Sequence, residues 1–138
     1  MSWFTYALLS AGFAGATAIL AKIGVQGIPS TLATAVRTCF ILPFTWAVVL
    51  VAGDYRSGAH LSRRTLLFLG LSGATTGLSW LAYFRALQLG PASHVAPIDK
   101  LSLPLTIVLA ATFLREPMTP RLIAGVLLMA CGALLTVR

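Results

Sequence analysis

The chain has 138 residues, of which 58% are hydrophobic and 9% charged, with a mean hydropathy of +0.91; ordinary soluble domains carry about 25% charged residues. A soluble helical bundle is excluded, because it would have no polar face left for water, and the length accommodates about five spans of roughly 20 residues in a single domain. The net charge of +7 does not indicate a nucleic-acid partner, since the ten basic residues are scattered among apolar segments and form no basic face; they read as determinants of orientation in a bilayer.

An all-α integral membrane fold is therefore expected, with spans over about 3–21, 30–52, 65–87, 92–114 and 120–137. The first opens on Trp3 and Tyr6, aromatics suited to the interface, and ends near Lys22. It has no basic leader region, so it is expected to be retained. Its small residues include Gly12 and Ala16, four apart, the spacing that lets membrane helices approach closely. The second span has Ser30 or Thr31 as its expected N-cap, Arg37 about two turns in, and Pro43 near its middle as an expected bend. A hydrophilic loop with Arg56 and His60 follows, and a lone His60 gives little reason to expect a metal.

The third span carries Gly73 and Gly77, a Gly-x-x-x-Gly pair expected to pack in the core, and ends with Trp80, Tyr83, Phe84 and Arg85. Trp80 and Phe84 share a helix face and read either as an interfacial belt or as the wall of a pocket. Gly90-Pro91 breaks the chain before the fourth span. Thr119-Pro120 reads as the N-cap and first position of the fifth, which presents Gly125 and Gly132 as a packing seam. Cys39 and Cys131 sit in apolar segments without metal-ligand spacing and read as small core residues. Neither a cofactor nor a metal is expected. No nucleophile–base or paired-carboxylate constellation stands out, and His94 has no evident catalytic partner, so an enzyme is not expected.

The most informative stretch is His94 to Pro104, where Asp99 and Lys100 lie between Pro97 and Pro104 inside an apolar segment. Charges at membrane depth are functional-site candidates, and the prolines remove backbone donors beside them. On a regular helix, adjacent side chains point about 100° apart, so Asp99 and Lys100 are expected to need separate partners, Asp99 meeting Arg37 or another base. Five spans place Arg56, Arg63, Arg64, Arg115 and Arg121 on the side of the N-terminus, against Lys22, Arg85 and Arg138. This favours a cytoplasmic N-terminus by a small margin. The same count puts Lys22, Arg37, Arg85, Asp99 and Lys100 in one half of the bundle, with a formal sum of +3.

From Pro91 to Pro97, through the Ala111 to Glu116 turn and on to Gly125, Gly132 and Leu135, the sequence resembles an EamA repeat of the drug/metabolite transporter superfamily. Ala21-Lys22 and Ala82 to Leu87 fit the same repeat. The resemblance implies a small-molecule carrier of the cytoplasmic membrane working by alternating access, of which this chain is one half of the usual inverted pair. It implies a homodimer, antiparallel by preference, or a paired similar subunit. Small multidrug resistance proteins, a shorter related class, carry an acid in the first helix; this first span has none. The expected site is Asp99, Lys100 and Arg37, lined by Trp80, Tyr83 and Phe84, with Lys22 and Arg85 as further charges and Pro97 and Pro104 as irregularities. The positive sum favours a substrate with an anionic group. The alternative is a non-transporting membrane subunit or assembly partner.

Overall fold

The computed structural model describes residues 2–55 and 61–137; Arg56, His60 and Arg138, used in the sequence reading, lie outside the described residues. The elements are α1 (Trp3–Gly24), α2 (Ser30–Ala52), α3 (Arg63–Leu89), α4 (Ala92–Asp99), α5 (Ser102–Leu109), a π-helical turn (Ala110–Leu114) and α6 (Pro120–Leu135). Lipid offers the backbone no hydrogen-bond partner, so apolar runs of this length satisfy their own amides as helices. Trp3–Gly24, Ser30–Ala52, Arg63–Leu89 and Ala92–Leu114 are long and apolar enough to cross a membrane, and Pro120–Leu135 is a shorter apolar helix. Large apolar side chains such as Phe13, Phe40 and Val51 are exposed, as suits a lipid-facing surface. The protein is a multi-pass helical membrane protein.

Several helix ends follow from local chemistry. Thr119 caps α6, its side chain accepting from the Leu122 amide at 3.2 Å, with Pro120 in the first position. Ser62 does the same for α3, accepting from the Thr65 amide at 3.1 Å. The expected Ser30 or Thr31 cap of α2 is replaced by Pro29, in extended backbone with no side-chain capping bond. Ser30 is already helical, and its carbonyl accepts from the Thr34 hydroxyl at 2.9 Å. The helix continues through Pro43 to Gly53, whose φ of 76° closes it in the left-handed region.

The fourth span is the irregular one. The irregularity expected at Pro97 and Pro104 is an interruption: α4 stops at Asp99 and α5 begins at Ser102. Pro97 and Pro104 each lack a donor, and the chain between them tightens to shorter bonds. The Lys100 amide reaches both Ala96 O (3.3 Å) and Pro97 O (3.1 Å), and the Leu103 amide turns back to Lys100 O at 3.0 Å.

By their contacts the residues fall into two compact units, one made of the chain up to Leu20 and from Leu89 onward, the other Ala21–Gln88. In the first, α4 and α5 pack on α6. In the second, α2 and α3 are antiparallel: Gln88 meets Ile28, just before α2, while Trp80 meets Arg37, so nine residues forward from Ile28 match eight back along α3. The expected glycine packing is not used among the described residues. A Cβ added at Gly12, Gly73, Gly77, Gly125 or Gly132 would meet nothing within 4 Å. Cys39 and Cys131 are likewise exposed rather than core residues.

Arg115, after the π-helical turn, is the non-glycine residue with positive φ (56°) among the described residues. The Glu116 amide then bonds Ala110 O at 3.4 Å, closing the helix end. A side chain in this conformation costs about 1 kcal/mol relative to glycine. Arg115→Gly is therefore expected to raise the thermal unfolding temperature in detergent; a lowered one would show that the Arg115 side chain stabilises the turn.

Candidate substrate site

The expected site residues divide between the two units. In the Ala21–Gln88 unit, one face of α3 presents Trp80, Phe84, Leu87 and Gln88, which follow the helical spacing of four, three and one. Phe84 and Leu87 are buried, and Leu87 and Val25 are among the most enclosed side chains of the chain, at 0% and 2% exposure.

The end of this face is a polar clasp. Gln88 Nε2 donates to Val25 O at 3.1 Å and to Ile28 O at 2.6 Å, and its Oε1 accepts from Arg85 Nη1 at 3.2 Å. Lys22 Nζ donates to the Leu87 carbonyl, near the C-terminus of α3, where helix carbonyls lack partners and the dipole favours a cation. Lys22 and Arg85, expected as further charges of the site, are thus engaged with the α1–α2 connection and the end of α3. Gln88 was missed from sequence. Its signal was its position one turn beyond Phe84 on the face of Trp80, and it was obscured because a glutamine near a span end usually faces headgroups.

Arg37 projects from α2 onto the same face. Its guanidinium carbon lies 4.1 Å from the Trp80 ring centroid and 5.5 Å from that of Phe84. Tyr83, half-buried, adjoins Phe84 with ring centroids 6.4 Å apart and interacts electrostatically with the guanidinium. In its own unit, Arg37 is thus partnered by aromatic rings rather than by an acid. A cation over desolvated rings gains about 2 kcal/mol, whereas arginine near a span centre costs about 2.5–3.5 kcal/mol on insertion scales. Stacking offsets part of this cost, and the N–H edge of the guanidinium keeps unspent donor capacity.

In the other unit, Asp99 and Lys100 do pair, with Nζ to Oδ2 at 3.5 Å and side-chain exposures of 35% for the acid and 53% for the base. The expectation that they point apart assumed a regular helix. Since α4 ends at Asp99, Lys100 sits in the turn and its long side chain reaches back. Pro97 lies in the last turn of α4 and Pro104 in the first of α5, so both prolines flank the pair.

An apolar span interrupted at an ion pair in one unit, and an arginine held on an aromatic wall in the other, are candidate functional features of a membrane protein. The family is shown by sequence: the EamA-like transporter family model matches residues 1–138, and the chain belongs to that family. It is also similar to an uncharacterized transporter in the cobO 3' region of Sinorhizobium sp., at 48% identity over 134 residues, covering 97% of this chain and 95% of that one. No solved structure matches. The protein is a transporter of the drug/metabolite superfamily.

Gln88→Leu removes the donor of two carbonyls at once. It is expected to lower stability by about 1–3 kcal/mol, the cost of leaving such groups unpaired, read as an earlier transition in detergent unfolding. An unchanged transition would mean that the clasp does not hold the α1–α2 connection.

Proposed function

We propose that the protein is a secondary carrier, an exporter of small metabolites or drugs, that works by alternating access as an oligomer of five-helix repeats and has no enzymatic activity. Asp99 and Lys100 are the first substrate or coupling residues of this reading, Arg37 of the other unit is the next, with Trp80, Tyr83 and Phe84 as the wall beside it, and the substrate bears an anionic group. The observation that carries this reading is the interruption of the fourth span at the ion pair: α4 ends on Asp99, Lys100 lies in the turn, and the two side chains meet at 3.5 Å while remaining accessible. Broken helices of this kind place backbone groups and charges together at membrane depth in secondary transporters.

The Sinorhizobium relative is matched over 95% of its own length, so a single five-helix repeat is nearly the whole of that protein. This supports assembly from separate repeats, first an antiparallel homodimer and second a pair with a similar subunit. The glycine faces left open by the chain's own helices are compatible surfaces for such a partner. The membrane is the cytoplasmic one, with the N-terminus inside by the distribution of basic residues.

Purified protein in proteoliposomes, assayed with amino acids, organic acids and cationic drugs, is expected to give substrate-dependent flux. Asp99→Asn and Lys100→Ala each reduce it by at least about tenfold, the scale of losing a charged hydrogen bond. Correctly folded protein without flux for any compound would favour a non-transporting membrane subunit; flux retained in both variants would remove the site but not the carrier.

An antiparallel homodimer requires both orientations. A C-terminal tag on intact cells or sealed vesicles is expected to be accessible from both sides, and one-sided labelling would rule that dimer out.

A further inference from the structure

We propose that Arg37 and Trp80 form a recognition subsite for a flat monocarboxylate, a solute carrying one carboxylate on an aromatic or similarly planar apolar body. This deepens the transport reading of the same residues and rests on it for the solute being cargo.

The guanidinium lies 4.1 Å from the Trp80 ring centroid, so the indole occupies a face of the arginine and leaves N–H donors at its edge. A carboxylate matches that edge with two coplanar acceptors. Phe84, 2% exposed, backs the wall from within, and the half-buried Tyr83 beside it offers ring contact to a planar body.

The charges of the unit narrow the class further. Lys22 is bonded to the Leu87 carbonyl and Arg85 to Gln88 Oε1. Arg63 and Arg64 begin α3, at least 16 residues before Trp80, or about 24 Å along the axis. Among the described residues of this unit, Arg37 is therefore the cation placed at the Trp80 wall. The acid among the described residues of this unit is Asp54, 17 residues beyond Arg37 and past the far end of α2, which itself runs about 22 Å from Arg37 to Ala52. Among the described residues of this unit no carboxylate stands near Arg37 to balance an ammonium group, so the subsite taken by itself favours a simple carboxylate over an amino-acid zwitterion.

The test uses the full chain in neutral-lipid nanodiscs, with Trp3 and Trp46 replaced by Phe so that Trp80 is the fluorescent reporter. Benzoate is expected to change its emission saturably. Benzyl alcohol, which lacks the charge, and phenylalanine, which adds an ammonium, are expected to bind at least about tenfold more weakly. Arg37→Gln should lose benzoate affinity by a similar factor, Arg37→Lys should keep part of it, and calorimetry on Trp80→Leu should show a several-fold loss. Equal affinity for the alcohol or the zwitterion, no response to benzoate, or unchanged binding in folded Arg37→Gln would each overturn the proposal; the ligand series on the parent decides even where a variant fails to fold. Flux separates the two readings. Transport of other solutes without benzoate binding removes this subsite alone, whereas benzoate binding without transport of any solute removes the carrier and leaves the subsite.

Discussion

A backbone carbonyl without a donor is costly in lipid, where water cannot replace the missing partner. Most of the local structure of this chain answers that constraint. Regular helices meet it internally, and the informative places are those where the helix stops. Between α1 and α2 the backbone leaves helical pairing, and Gln88 supplies donors to Val25 O and Ile28 O while Lys22 serves the end of α3. These bonds join segments 60 or more residues apart in sequence. They also set the register that brings Arg37 over Trp80.

The fourth span meets the same constraint differently. Pro97 and Pro104 withdraw two donors within eight residues, and the backbone between them contracts into short-range bonds around Lys100 and Leu103. The contraction changes side-chain directions as well as hydrogen bonds. A lysine that would leave a regular helix on a different face from Asp99 is freed to return to it. A backbone defect and an ion pair arise here from one cause.

The parts of the fold legible in the sequence were those set by composition and local signals. Apolar length located the helices, and Thr119-Pro120 marked the start of α6, because capping depends on residues within one turn. What escaped depends on geometry that a periodic pattern averages away. Ser30 looked like a cap, yet Pro29, with its fixed φ, takes that position and draws Ser30 into the helix. The Asp99–Lys100 pairing was missed because regular helical angles were carried through a proline-flanked break. Gln88 was missed because its partners are carbonyls, which leave no mark in side-chain spacing. The Gly-x-x-x-Gly signal was readable, but spacing alone does not name the helix that would fill it, and none of the described residues does.

The formal sum of +3 assigned to the five charges illustrates the limit of counting. It weights each cation equally, whereas the structure gives each a different share of its charge to spend. Lys22 is directed at a helix-end carbonyl, Arg85 is tied to an amide oxygen, and Lys100 is balanced by Asp99. Arg37 is held instead by the quadrupoles of Trp80 and Phe84. Such contacts attract the cation without supplying a full counter-charge or using all its N–H donors. Among these five charges, the electrostatic character presented to a solute is therefore set less by the number of bases than by Arg37, whose partners are rings.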